Sequence, residues 1–263
     1  MTDAYDDRDV PARQGSRQPQ QSSSQGVMDA LQSLESDELA RYCRSASIEG
    51  AIAQTFSLEL NRSQKLWASK GSLISYDKGI DWNLEVPGGA GKAVSRMLSG
   101  ESLSLTRVTA QADGAQCTLG SNKPGKLVTW DLSRGAIKCT KGAFVAALGD
   151  VDIDVTVAKR AGAALFGGAG LFMQRLSGEG IAVLHGSGDF IEHQLDHGET
   201  MLVSTGNLAC FSDSVSYDVT GVGGCGKMIF GSEGMFMTEV SGPGWVMLQS
   251  LKDKPQQAET SSD

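Results

Sequence analysis

LFMQRLSGEGIAVLHG at residues 171–186 aligns without a gap to MFMTEVSGPGWVMLQS at 235–250, an offset of 64. Phe172/Phe236, Met173/Met237, Ser177/Ser241, Gly178/Gly242, Gly180/Gly244 and Leu184/Leu248 are identical in the two copies. A fainter third copy, RMLSGESLSLTRV at 96–108, shares Leu98, Ser99, Gly100 and Glu101 with Leu176, Ser177, Gly178 and Glu179 at an offset of 78. Self-similarity at such periods marks a fold built from one unit used three times. In each copy the glycines stand between two apolar runs. A tight turn with positive φ is expected at Gly178/Gly180 and again at Gly242/Gly244.

The unit is a β unit. AQTFSLELN (53–61) alternates Phe56, Leu58 and Leu60 against Thr55, Ser57 and Glu59, and VDIDVTV (151–157) alternates Val151, Ile153, Val155 and Val157 against acids and threonine. Period two is the pattern of a half-buried strand. Further strands are expected at 66–76, 102–109, 126–132, 143–148, 181–185, 188–195, 200–204, 208–211, 215–219, 227–230, 235–240 and 245–250. The 33 glycines among 263 residues separate these runs, as in an all-β sandwich or barrel. Phe172, Met173, Phe236 and Met237 are expected in its core. Val27, Leu31 and Leu34 fall on one helical face, which allows a short helix before the β region. Residues 1–26 and 252–263 are polar and Gln/Ser-rich, with too little apolar surface to offset the entropy of ordering them.

Net charge −8 argues against a grip on nucleic acid or an anionic membrane, which needs clustered Lys and Arg. Trp67, Trp82, Trp130 and Trp245 do not interleave with basic residues into a base-stacking platform. Cys43, Cys117, Cys139, Cys210 and Cys225 are odd in number and never form a CxxC pair, which fits free thiols in a reducing compartment. The longest nearly apolar stretch, 161–173, is glycine-broken and short of the ~18 residues of a transmembrane helix. The first 26 residues, with four aspartates, read as neither a secretory signal nor a mitochondrial presequence. A cytoplasmic location is therefore expected, with a mitochondrial one as the alternative.

Three motifs imitate chemistry. GVGGCG (221–226) matches G-x-G-x-x-G, but KMIFGSEGMFM follows it and does not open a helix, so a hairpin turn is expected. GGAGKA (88–93) has Val86 where a phosphate loop needs its first glycine and Ala93 where it needs a hydroxyl. His185, His193 and His197, the chain's three histidines, lie within 13 residues beside Glu192, Asp196 and Glu199. Two histidines and a carboxylate on a β scaffold can bind Fe, Zn or Mn, as in a cupin-like enzyme. Against that, His185 is a repeat position held by Gln249 in the next copy, so no metal is expected here. No nucleophile with a neighbouring base is visible. No catalytic residue, cofactor or metal ligand is assigned.

SYDKGI, GGAGKAVSRMLSGESL, KPGKLVTWDLSRG, FGGAGLFMQRLSGEGIAVLHGSG, LDHGETMLVSTGNLACF and GSEGMFMTEVSGPGWVMLQS follow one another as in a known family. From about Ile48 to Leu251 the chain resembles the altered-inheritance-of-mitochondria, or mitochondrial-biogenesis, family and its bacterial relatives. The Gly100–Leu103 step, the Pro124–Gly125 turn, His197–Glu199 and Gly242–Gly244 are the most specific points. The resemblance implies three tandem β-sandwich units like a subunit of the tryptophan RNA-binding attenuator protein (TRAP-like, double-stranded β-helix type). They would occupy roughly 45–118, 119–190 and 191–251, after a mostly disordered extension at 1–44 and before a tail at 252–263. It also implies three chains closing into a homotrimeric nine-unit ring, and for fungal members a role at the mitochondrial inner membrane. No enzymatic activity comes with it, and the attenuator protein's tryptophan and RNA sites have no matching motif. The expected protein is a non-enzymatic ring-forming scaffold acting through protein partners, with peripheral rather than spanning membrane contact.

Overall fold

The computed structural model describes residues 39–87, 104–158, 171–221 and 236–253. The described chain is nearly all β: β1 (Ser45–Glu49), β2 (Thr55–Leu60), β3 (Lys65–Ala68), β4 (Leu73–Tyr76), β5 (Ile80–Glu85), β6 (Leu105–Ala110), β7 (Ala115–Gly120), β8 (Gly125–Asp131), β9 (Ile137–Thr140), β10 (Phe144–Ala158), β11 (Leu171–Ser187), β12 (Phe190–Leu195), β13 (Thr200–Ser204), β14 (Leu208–Ser212), β15 (Ser216–Gly221), β16 (Phe236–Ser241) and β17 (Gly244–Gln249). A small sheet runs β1-β2-β7-β4 and another runs β13-β16-β15. The large sheet runs β12-β17-β14-β9-β11-β10-β3-β6-β5, with β8 also on β11. All strand pairs are antiparallel.

Alternation decides which side chains go inside. In β2 Phe56, Leu58 and Leu60 are buried and their neighbours half-buried, and Ile153 is buried beside exposed Asp152. Each such side chain is worth about 1.5–3 kcal/mol relative to leaving it in water. Three clusters result: one around Phe56, Leu66 and Leu119, one around Phe144, Ile153 and Leu176, and one around Met173, Phe211 and Val246. Met173 is thus core, as expected, and Met237 is half-buried. The side chains of Phe172 and Phe236 lie outside the described residues.

The expected turn at Gly178–Gly180 is not a turn. Both glycines sit inside β11, a 17-residue strand paired with the 15-residue β10 over nearly its whole length. Before them β11 pairs on its other side with β9 through Met173–Leu176, and after them with β8 through Ile181–Ser187. The glycines mark the point where one strand passes from one neighbour to the next. Gly180 faces Gly149 across the pair, and a Cβ on it would collide with the Leu148 carbonyl oxygen. Gly178 has φ +111, and its Cβ would collide with the Asp150 carbonyl oxygen. The second copy makes the same passage by breaking: β16 lies in a small sheet and β17 in the large one, with Gly242 and cis-Pro243 between and Gly244 opening β17. Close backbone approach, rather than reversal, selects glycine in the first copy.

Expected strands 143–148 and 151–157 are one strand, because Gly149 at φ +98 is accommodated opposite Gly180 without ending the ladder. The 66–76 run splits into β3 and β4. β1, β5, β7 and β9 were not expected. The third copy's RMLSGES, GGAGKA, GVGGCG after Gly221, Cys225, the 227–230 strand and the helix at 27–38 lie outside the described residues. No helix among the described residues is long and apolar enough to cross a membrane.

Candidate functional site: buried polar clusters and open sheet edges

The three histidines part company in the fold. His185 sits in β11 opposite Leu127 and is 1% exposed. Desolvation lowers its pKa, a hydrogen bond with the Lys123 backbone pulling the other way. His193 is half-buried on β12 opposite Val246, and His197 is exposed in the turn that follows. Among the described residues no three His, Cys, Asp or Glu side chains gather as a metal would require. The cupin-like reading is left without its ligand set. His185 and its repeat counterpart Gln249 instead share a trait, both being buried polar side chains.

Around His185 the structure assembles a serine and an aspartate. The Ser187 hydroxyl donates to Asp253 Oδ1 at 3.2 Å, and Lys123 Nζ reaches the same oxygen at 2.6 Å. By residue type this is a hydrolytic triad. By geometry it is not, because the serine bonds the carboxylate directly and no base is placed to take its proton. The neighbouring bonds show what it does: Leu251 N donates to Ser187 O, Asp253 N to Gly206 O, Ser187 N to Gln249 Oε1 and Gln249 Nε2 to Gly206 O. The cluster pins the end of the described chain onto β11, with ordered contacts through Asp253.

A second charged group lies beside the first half of β11. Asp213 receives Arg175 Nη2 at 2.9 Å and Lys138 Nζ at 2.7 Å, and Lys138 stands 5.9 Å from the ring centres of Phe211 and Tyr217. The Arg175 hydrogen bond, aided by Lys138, holds the Asp213 carboxyl below its ordinary value. Glu192 is its converse: both carboxyl oxygens are buried with no hydrogen-bond partner among the described residues, and desolvation raises its pKa.

The two carboxyls predict opposite pH effects. A depressed pKa gives stability that is present above the unfolded value and lost as pH falls through the folded one. A raised pKa gives stability that is full below the unfolded value and lost as pH rises through the folded one. Asp213→Asn is therefore expected to lower the melting temperature at pH 7 by an amount that shrinks below about pH 4. Glu192→Gln is expected to raise it at pH 7 and to lose that advantage in acid. Thermal melts of both variants from pH 3 to 8 check the signs, and parallel curves for the two would overturn the assignment.

Among the described residues the large sheet ends in two strands with a neighbour on one side only, β5 at one end and β12 at the other. An unpaired edge is a template for another strand, and natural proteins normally blunt it. Here each edge carries large apolar side chains in water: Trp82 (43% exposed) and Leu84 (52%) on β5, Ile191 (47%) on β12. Trp82 and Leu84 share a face of β5, and Asp81, Asn83 and Glu85 take the other. β5 was missed from sequence although IDWNLE alternates strictly. The signal was present at six residues.

The comparisons fit this architecture. The family model described as Mitochondrial biogenesis AIM24 matches residues 46–251. No curated protein sequence matches the chain. A crystal structure of a Streptococcus pyogenes protein superposes with a TM-score of 0.67 at 22% identity, covering 79% of this chain and 94% of that one. At that identity the likeness speaks for the fold.

Proposed function

The chain belongs to the mitochondrial biogenesis AIM24 family, and on that footing we propose that it works without catalysis, as one subunit of a closed ring that scaffolds protein partners. The observation that carries this is the pair of open edges on one sheet, each with exposed apolar side chains. Two different edges on one molecule favour head-to-tail contact, and head-to-tail contacts generate a ring when the rotation closes. β5 of one chain adding to β12 of the next would continue the sheet and cover Trp82, Leu84 and Ile191 together. Three chains, each a set of three TRAP-like units, is the closure the family resemblance favours. The clusters around His185 and Asp213 then serve as structural fastenings. We place the protein in the cytoplasm, with mitochondria, which the family description names, as the alternative. Association with a membrane would be peripheral.

Light scattering on the full chain tests the ring. The expected mass is three times 27.7 kDa, independent of concentration in the micromolar range. A monodisperse monomer at that concentration would sink the proposal.

A further inference from the structure

One row of the large sheet is chemically unlike its neighbours. Register partners on antiparallel strands stand opposite each other on the same face. Counting inward from the β12 edge, Glu192 is opposite Met247, Met247 opposite Cys210, Cys210 opposite Cys139 and Cys139 opposite Gln174. Five neighbouring strands thus set a carboxyl, a thioether, two thiols and a carboxamide in a line. Cys139 and Cys210 are fully buried, and Met247 is 1% exposed. Gln174 is 4% exposed, and among the described residues neither its Oε1 nor the two Glu192 oxygens have a hydrogen-bond partner.

Buried polar atoms almost always find a partner, so three unpartnered oxygens in one row call for an explanation. The side chains between them end in sulfur. For Gln174 Oε1, which adjoins the thiols, the missing partner is a cation, whereas Glu192 stands at the far end of the row and its burial favours the protonated form. Zinc sites are built from Cys, His and carboxylate, and no three of those converge among the described residues. Two cysteine sulfurs beside a methionine sulfur make a soft set, the kind that selects monovalent copper.

We propose that Cys139, Cys210 and Met247 form a site for Cu(I), with Gln174 Oε1 beside Cys139 as a weak further donor. Copper takes the place of one thiol proton, which leaves for solvent. The second cysteine stays a neutral thiol, so one cation and one thiolate leave the core uncharged, and no electron is transferred. Met247 lies one strand from the β12 edge. Cys43 and Cys117 belong to a different core cluster and have no part in it. The site stands independently of the ring, since it uses residues of one chain only.

The test loads the metal-free full chain with Cu(I) without oxygen, then challenges it with bicinchoninate, a Cu(I)-selective chelator. One copper per chain is expected to survive, with a thiolate-to-copper charge-transfer absorption in the ultraviolet. Cys139→Ser and Cys210→Ser are each expected to weaken retention at least about tenfold. Met247→Leu, nearly volume-conserving and so expected to fold, is expected to weaken it comparably. The combined Cys43→Ser, Cys117→Ser and Cys225→Ser variant is expected to keep its copper. The proposal is overturned by a folded chain that retains none, by copper that survives both Cys139→Ser and Met247→Leu, or by zinc held in preference to copper.

Discussion

Gly180→Ala is expected to cost roughly 3 kcal/mol or more of folding stability, at the upper end for an overpacked site. The added carbon meets the Leu148 carbonyl oxygen within a strand pair that is hydrogen-bonded on both sides of it. Neither backbone can yield without opening the ladder. For a domain of this size that loss lowers the melting temperature by roughly 6–12 °C. Gly178→Ala adds a strained φ to a similar collision and is expected to lose at least as much. Gly244→Ala, the repeat counterpart of Gly180, is expected to lose less. Its Cβ meets Ser214 Oγ at 2.7 Å and Val215 Cγ2 at 2.8 Å, and side chains can shift where a paired backbone cannot. Gly198→Ala serves as control, with φ +82 but open space around it, and is expected to cost about 1–2 kcal/mol from conformation alone. Differential scanning calorimetry ranks the four. Equal losses at Gly180 and Gly244 would mean that both positions are simple turns after all.

Leu84→Lys and Ile191→Lys are each expected to reduce the proposed ring to monomers, and mixing the two variants is expected to give a dimer of twice 27.7 kDa. Both side chains are about half exposed, so neither substitution should disturb the fold. At a strand-to-strand contact, however, each buries an unpaired ammonium, on the order of 3 kcal/mol or more. That is at least about a hundredfold in association constant. Under head-to-tail addition the Leu84→Lys chain keeps a sound β12 and the Ile191→Lys chain a sound β5, so one good contact remains between them. An isologous contact has no such complement. Monomers on mixing, or an undisturbed trimer in either variant alone, would move the interface elsewhere.

Local periodicity carried most of the architecture. Thr200–Ser204 was bounded to the residue, β2, β6, β8, β12, β14, β16 and β17 within a few, and Val151 and Ile153 were placed on the buried face. The lapses have a common cause. Gly149 and Gly180 read as punctuation in isolation, because what makes them strand residues is that they face each other across β10 and β11. β9, four residues long, offers too few alternations to be read. The sulfur row was invisible for the same reason, Cys139 and Cys210 being opposite only once β9 and β14 have paired. Histidine clustering was the most conspicuous local signal. It dissolved because neighbours in sequence went to a buried strand, an edge strand and an exposed turn.

The β10–β11 pair forms part of the wall of two cores at once. Ala146, Leu148 and Val183 face the cluster around Phe56, while Ala147, Val151 and Ala182 face the one around Phe144. These two strands are close in sequence and can find each other by a short search, whereas β2 must find β7, and β3 must find β10, across much longer stretches of chain. Folding is therefore ordered around this shared wall, with both cores condensing on it and neither able to persist once it opens. A chain that nearly repeats its own sequence thus yields two cores that are not separable: no fragment that lacks β10 or β11 retains either of them complete.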